Sequence, residues 1–321
     1  MNNTLQLREV RLSDKSSLLK LCNERPYPDS LFMEKEPMRE TVAGNLEQFF
    51  QSEAAPQELT IRVLEEDGQV CGFIILDVND QESITKQAQT LICDYHVKSW
   101  EQFEYLFQWA AETARDAGGE YLVVSNYSRG GEQNQAWLEK LGFQPELLRV
   151  ARYIEAGQTG AAHPDYRVRK ATDNDMLFIM RLVANNSPIY CPAGREVDRE
   201  LIQAGFVSAY TSIGPRNKKR VPLILEERAT GEPLGYIIVD PGKVIGATKT
   251  VTLYIYDIAV APEAPTRGLS RYLCGGGETL LGRMGGGVFF GDISADNQLA
   301  VGAQKGLGFE VDSIRWGLKL Q

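Results

Sequence analysis

Histidine is almost missing from this 321-residue chain, with only His96 and His163 present. Its five cysteines (Cys22, Cys71, Cys93, Cys191, Cys274) form no C-x-x-C pair. A structural zinc site needs clustered thiolates and imidazoles, so none is expected. Neither histidine sits in a motif that supplies a nucleophile, which argues against Ser/His/Asp or Cys/His catalysis. An odd number of scattered cysteines fits a reducing compartment. Long hydrophobic runs are also lacking: no stretch approaches the roughly 20 apolar residues of a membrane span. Residues 1–10 are polar, without the apolar core of a secretory signal, so a cytoplasmic location and no membrane partner are expected. Positive charge is short as well, with 34 Lys and Arg against 43 Asp and Glu for a net charge of −9. The tight basic run, Lys218-Lys219-Arg220, lies in a loop flanked by proline and glycine and reads as a solvated tip. No nucleic-acid partner is expected.

What is present is ordinary globular material, 43% hydrophobic and 24% charged, long enough for about two domains. The landmarks come in pairs. A strand over 7–12, capping residues Ser13 and Asp14 and a helix over 16–23 are echoed by a strand over 166–171, Thr172, Asp173 and a helix lined by Met176, Phe178, Ile179, Leu182 and Val183. Aligning Asp14 with Asp173 gives an offset of 159. Hairpins over 59–77 (turn Asp67-Gly68) and 221–240 (turn Thr230-Gly231) follow, placing Gly72-Phe73-Ile74-Ile75 over Gly235-Tyr236-Ile237-Ile238 at offset 163. Leu141-Gly142-Phe143 and Leu307-Gly308-Phe309 match at offset 166. A slowly drifting offset across separated landmarks indicates an internal repeat with loop insertions. We therefore expect a domain over 1–155, a linker of small residues over 156–165 and a second domain over 166–321. The proline- and glycine-interrupted stretch 185–220 reads as irregular helix and loop.

The most informative stretch is Leu253 to Met284. It reads as a buried strand (253–260), a turn containing Pro262, Pro265 and Gly268, then a helix with an apolar face. A turn that feeds a helix leaves the first backbone N–H groups unpaired, and together with the helix dipole they attract phosphate. Gly268 would let the backbone approach an anion closely. A turn glycine with no ligand is the duller reading of this stretch taken alone.

The elements that follow add weight: a strand at Val288-Phe289-Phe290, then Ser294, Ala295, Asp296, Asn297, a short helix, and Leu307-Gly308-Phe309. This order resembles the GCN5-related N-acetyltransferase (GNAT) family. That family's pyrophosphate loop, Q/R-x-x-G-x-G/A, is met by Pro265-Thr266-Arg267-Gly268-Leu269-Ser270, with Pro265 in place of Gln or Arg. Its Asn-x-x-Ala…Tyr-x-x-x-Gly-Phe run is met by Asn297, Ala300, Gly308 and Phe309, with Gln304 at the tyrosine. The architecture covers the whole chain, and the specific motifs cover Leu253 to Phe309.

The resemblance implies two α/β domains, each a mixed, largely antiparallel twisted sheet flanked by helices. It also implies an acyl-CoA-dependent N-acyltransferase, moving acetyl from acetyl-CoA to a primary amine by direct attack. Backbone at Ile258 and Val260 would pair with the pantetheine arm. Arg267, Gly268, Leu269 and Ser270 would hold the pyrophosphate, and Asn297 would sit near the thioester. Asp257 is the candidate base, with Tyr254 beside it as a catalytic candidate; strict alternation puts Tyr254 and Tyr256 on one face of the strand and Asp257 on the other. Tyr190, Arg195, Phe206 and Tyr210 fall where the family builds its acceptor wall, or else pack in the core. In the first copy, Lys98-Ser99-Trp100 has no glycine at the corresponding turn, Gly131 replaces the asparagine and Leu138 the tyrosine. That copy is expected to be a scaffold. Two other readings stay open: a non-catalytic CoA or nucleotide sensor, and an aminoacyl-tRNA-dependent transferase, against which the acidic balance argues.

Overall fold

The structure, a computed structural model, describes residues 5–24, 30, 50, 59–127, 131–211, 219–242, 250–264 and 268–320. The first repeat runs β1 (Leu5–Glu9), a 3-10 turn (Leu12–Asp14), α1 (Lys15–Glu24), β2 (Leu59–Glu66), β3 (Gln69–Gln81), β4 (Ala88–His96), α2 (Trp100–Asp116), β5 (Tyr121–Tyr127), α3 (Glu132–Lys140) and β6 (Gln144–Ile154). The second runs β7 (Tyr166–Lys170), a 3-10 turn (Asp173–Asp175), α4 (Met176–Asn186), a 3-10 turn (Ser187–Tyr190), α5 (Arg199–Thr211), β8 (Val221–Glu227), β9 (Pro233–Pro241), β10 (Thr252–Val260), α6 (Ser270–Arg283), β11 (Gly287–Ser294), α7 (Gln298–Gly306) and β12 (Glu310–Lys319). Within 185–220, expected to be irregular, α5 is a thirteen-residue helix. Asp198 starts it by accepting from the amides of Glu200 and Leu201 at 3.0 and 3.2 Å.

Local chemistry accounts for the hairpins and the helix starts. Asp67 and Gly68 both have positive φ (51° and 79°), the backbone of the tight turn that matches strand twist. The helix openings correct the expected alignment. Asp14 accepts from the Arg11 amide and Asp175 from the Thr172 amide, each at 2.7 Å. The equivalent of Asp14 is therefore Asp175, not Asp173, because the capping carboxylate sits at the third residue of the turn. Around it an identical triad recurs. Arg8 clasps Asp14 (2.7 and 2.8 Å) and Glu65 (2.6 Å), while Arg169 clasps Asp175 (2.7 and 2.8 Å) and Glu226. Each triad ties the first strand to the helix start and to the second strand.

The Arg169 guanidinium holds the Asp175 carboxyl at about 2, against the opposing pull of burial. A carboxylate with a depressed pKa contributes stability that is complete above its unfolded pKa of about 4 and is lost as pH falls toward about 2. Asp175→Asn is thus expected to lower unfolding free energy by on the order of 2 kcal/mol at neutral pH. The gap to the wild type should close as pH falls to about 2, as urea denaturation at stepped pH would show; a pH-independent gap would contradict the assignment.

Two compact units emerge, and each completes its sheet with a strand from the other repeat. The first comprises Met1–Glu146 and Ser313–Gln321, the second Leu147–Asp312. The expected boundary at 156–165 follows the chain and not this division. In the first unit β1 to β5 are followed by β12, which pairs antiparallel with β5 from Ser313↔Tyr127 to Lys319↔Tyr121. Trp316 and Leu320 join the core of Phe103, Phe107, Leu122 and Phe143. In the second unit β7 to β11 are followed by β6, paired antiparallel with β11 from Gly287↔Ile154 to Ser294↔Leu147. Val150 and Ile154 join Tyr236, Ile237, Leu253, Leu273 and Phe289 there.

The expected linker is packed. The Gly157 amide donates to the Gly282 carbonyl at 2.8 Å, and the Gly160 amide donates to Thr279 Oγ1 at 3.0 Å. A Cβ at Gly160 would run into the backbone of Gly275 on α6. Small residues in 156–165 thus allow a strap to lie flat on a glycine-bearing helix.

Candidate active site

The second unit's sheet opens at one place. Strand β10 runs parallel to β11 from Thr252↔Val288 to Ile255↔Gly291, where the pairing ends. On its other edge β10 stays bonded to β9 as far as Val260↔Gly235, with a break in register between Ile255 and Asp257. Tyr256 is the extra residue, a β-bulge that bends the strand where it parts from β11. From 256 to 260 the pairing of β10 with β11 does not continue among the described residues. Ile258 and Val260, expected to pair with a pantetheine arm, lie on this stretch.

Helix α6 begins beside the split. Gly268 has φ +65°, a left-handed conformation that favours glycine, and a Cβ there would meet nothing within 4 Å among the described residues beyond its chain neighbours. The helix has no side-chain cap at its first turn. Leu269 is buried and Ser270 opens the helix. Arg267, with Pro265 and Thr266, lies outside the described residues.

The bulge changes which side chains meet. Alternation alone sets Tyr254 and Asp257 on opposite faces; the inserted residue puts them on the same one. Tyr254 lies across from Asp240, and Asp257 from Ile238, two residues along β9. Residues directly opposite in a ladder share a face. This face is turned away from α6, since Leu253 lies opposite Phe289, whose ring lies where a Cβ on Gly277 of α6 would stand. Asp257 is 5% exposed and accepts a hydrogen bond from the Tyr236 hydroxyl. Tyr190, from the 3-10 turn after α4, belongs to the same group: burial, then the Asp257 charge, push its phenol well above the usual tyrosine range. The Tyr254 ring lies tilted at 44° against Phe290, with centroids 5.0 Å apart, and its hydroxyl lies 3.4 Å from Asp292 Oδ2. Burial, with the Asp292 charge next, raises the Tyr254 phenol too, so both tyrosines keep their protons at neutral pH. Arg149 of β6 holds Asp292 in a fork, Nε to Oδ1 at 2.9 Å and Nη2 to Oδ2 at 3.1 Å. Arg220 covers the Tyr256 ring at 3.4 Å.

Other expected residues have different surroundings. Asn297 is the N-cap of α7, its Oδ1 accepting from the Ala300 amide at 3.1 Å. Gln304 is buried and turned to Cys274 of α6, 3.9 Å from its sulfur. Arg195 is buried; the side chains of Phe206 and Tyr210 lie outside the described residues. Sequence reading missed Asp292, Arg149 and Tyr236. Asp292 follows Phe290 on the same face of β11, a signal alternation offered; Arg149 sits on a strand of the first repeat, for which no local pattern speaks.

The first unit has the same split in a closed form. Strand β4 pairs with β5 only from Gln89↔Tyr121 to Ile92↔Val124, and its register breaks at Cys93, between Ile92 and Asp94. The start of α2 is satisfied internally: Ser99 Oγ accepts from the Gln102 amide at 3.3 Å, and Gln102 Oε1 from the Lys98 amide at 2.9 Å. Trp100 lies under Lys140 Nζ at 3.6 Å and against Phe103 and Trp137 at 6.1 and 6.2 Å, while Tyr95 of β4 meets Phe103 at 5.8 Å. Aromatic side chains thus gather around a helix start that offers an anion no free first-turn amide at Gln102.

The fold that places a bulged strand, parting from its parallel neighbour, beside an uncapped helix start is similar to that of solved GCN5-related N-acetyltransferases. Among solved structures, a GCN5-related N-acetyltransferase from Sphaerobacter thermophilus is similar at 13% identity and a TM-score of 0.54, over 99% of this chain and 96% of that one. A GCN5-related glucosamine N-acetyltransferase region of a fungal multi-domain GH3 β-N-acetylglucosaminidase is similar at 12% identity and 0.54, over 99% of this chain and 38% of that one. No family model and no curated protein matches the sequence. Among the described residues there is no helix long and apolar enough to cross a membrane and no cluster of His, Cys, Asp and Glu suited to a metal ion.

Proposed function

We propose that the second unit is an acyl-CoA-dependent N-acyltransferase that acetylates a primary amine, and that the first unit is its non-catalytic companion. The observation that carries this reading is the end of the β10–β11 pairing at Ile255, set beside the helix start at Gly268. Both features fit acetyl-CoA. An edge strand offers backbone donors and acceptors to the amides of a pantetheine arm, and the open space at Gly268 suits a pyrophosphate. Ile258 and Val260 would hold the arm, with Gly268, Leu269 and Ser270 at the pyrophosphate; Arg267 is assigned by sequence alone. Acetyl-CoA, when bound, supplies an activated acyl group.

The chain's own residues then have three tasks. Asp257 takes the proton of the acceptor's ammonium group, at a face where Tyr236 orients its carboxylate. Tyr254, fixed by Asp292 and Phe290, shapes the acceptor side of the split and presents a protonated hydroxyl there. Asn297, as the cap of α7, keeps the loop after β11 in place. No acid stands at Gln304, whose side chain is buried against α6, so CoA leaves as a thiolate with no proton donor at that position.

Calorimetric titration with acetyl-CoA, followed by thiol-release assays over a panel of amines, tests the proposal. One site per chain with amine-dependent thiol release is expected. Two sites would overturn the assignment of the first unit as a companion. Binding without release from any amine would support a sensor, and no binding would remove the proposal.

A further inference from the structure

A second hollow in the same unit has a different chemistry. A cavity of about 460 Å³ lies on the opposite face of the sheet, among β7, β8, α6 and the 156–165 strap. None of the residues assigned above to acyl transfer borders it. Its floor is aliphatic, from Val168, Val221, Leu223, Leu225 and Leu280. At one side three rings converge: His163 lies 4.8 Å from Tyr166 and 5.3 Å from Tyr272, and the two tyrosines are 5.9 Å apart.

The charge around this hollow runs against that of the protein. The chain carries −9 overall, yet the described lining includes no aspartate or glutamate and does include Lys170, Arg228 and Arg283. Arg167 and Arg169 border it as well, but their guanidinium groups are engaged by Glu226 and Asp175. Arg228 donates its Nε proton to the Tyr166 carbonyl at 3.0 Å and keeps its other donors. Lys170 and Arg283 have no ion-pair partner among the described residues.

We propose that this cavity binds an amphipathic carboxylate, an apolar body of medium-chain fatty-acid size with one anionic head. The aliphatic floor takes the body, and Lys170 and Arg283 take the head. The volume lies in the range of small-ligand clefts. A polyphosphate would leave the aliphatic floor unfilled, and a cationic ligand would face uncompensated positive charge. Helix α6 lines the cavity with Tyr272, in its first turn, so a bound ligand would touch the helix that begins at the proposed pyrophosphate site.

The test is calorimetric titration of the full chain with octanoate, repeated with CoA present and with 1-octanol as the uncharged comparison. One saturable octanoate site is expected, unaffected by CoA and at least about tenfold tighter than any octanol binding. The double variant Lys170→Gln/Arg283→Gln, both exposed positions, should lose about tenfold in octanoate affinity while retaining acetyl-CoA affinity. Absence of saturation, equal affinity in the double variant, or displacement of octanoate by CoA would each overturn the assignment. The last of these outcomes would leave the acyltransferase reading standing, since it places octanoate in the split between β10 and β11.

Discussion

Replacing Gly268 with valine is expected to weaken acetyl-CoA binding at least about tenfold while the protein stays folded. Beyond its chain neighbours, no atom of the described residues lies within 4 Å of the added Cβ to obstruct it. The backbone does. At φ +65° an L-residue is held at a cost of roughly 1–2 kcal/mol, more when it is β-branched. Relief of that cost turns the peptide planes that aim the first amides of α6, and any side chain that remains also occupies the approach of the anion. Two further substitutions separate these effects. Asparagine tolerates the left-handed conformation, so Gly268→Asn keeps the peptide planes and adds bulk, whereas Gly268→Ala adds little bulk and strains the backbone. Asparagine close to wild type with alanine impaired would identify conformation as the cause; the reverse order would identify steric approach. Unchanged affinity in a folded valine variant would remove the anion site altogether.

Asp257→Asn is expected to reduce kcat at least about a hundredfold, with acetyl-CoA affinity little changed. Asparagine retains the shape and still accepts from the Tyr236 hydroxyl, but it cannot take a proton from the acceptor. A base must be ionised to work, so the wild-type rate should fall as pH drops through the carboxyl's pKa, and this acid limb should vanish in the variant. Undiminished kcat in the folded variant would make Asp257 a partner of the tyrosines and nothing more. Asp292→Asn is the informative comparison: it loosens the Arg149 fork and the Tyr254 contact and leaves the proposed base intact.

Much of this arrangement was legible in the residues because the interactions are local. The Asp67-Gly68 turn, the buried run 253–260 and the glycine before α6 each declare their conformation within a few positions. The face shared by Tyr254 and Asp257 was not legible, because a bulge has no reliable signature and a single inserted residue reverses every side chain beyond it. The triads of Arg8 and Arg169 escaped for the opposite reason. Their third members, Glu65 and Glu226, are 57 residues away in each repeat, and the capping Asp175 looks interchangeable with neighbouring Asp173 until the hydrogen bonds are seen. The strap read as a linker because small residues suit both freedom and close contact; only the glycines of α6 decide between them. Arg149 was hidden by topology, since it reaches Asp292 from 143 residues away on a strand of the other repeat.

That crossing of strands sets the order in which the molecule can be born. During synthesis the first 154 residues leave the ribosome with β6 made but with its partner β11 not yet translated, and with the edge of β5 bare until residues 313–319 follow. Closure between Tyr121 and Lys319 joins positions about 200 residues apart, which is slow and entropically demanding compared with a hairpin. The nascent first repeat therefore carries an unpaired strand and an exposed sheet edge throughout translation of the second, a state prone to wrong pairing. Cutting the gene between the repeats would yield two pieces each holding the other's last strand, so neither repeat is a free-standing module for transplantation.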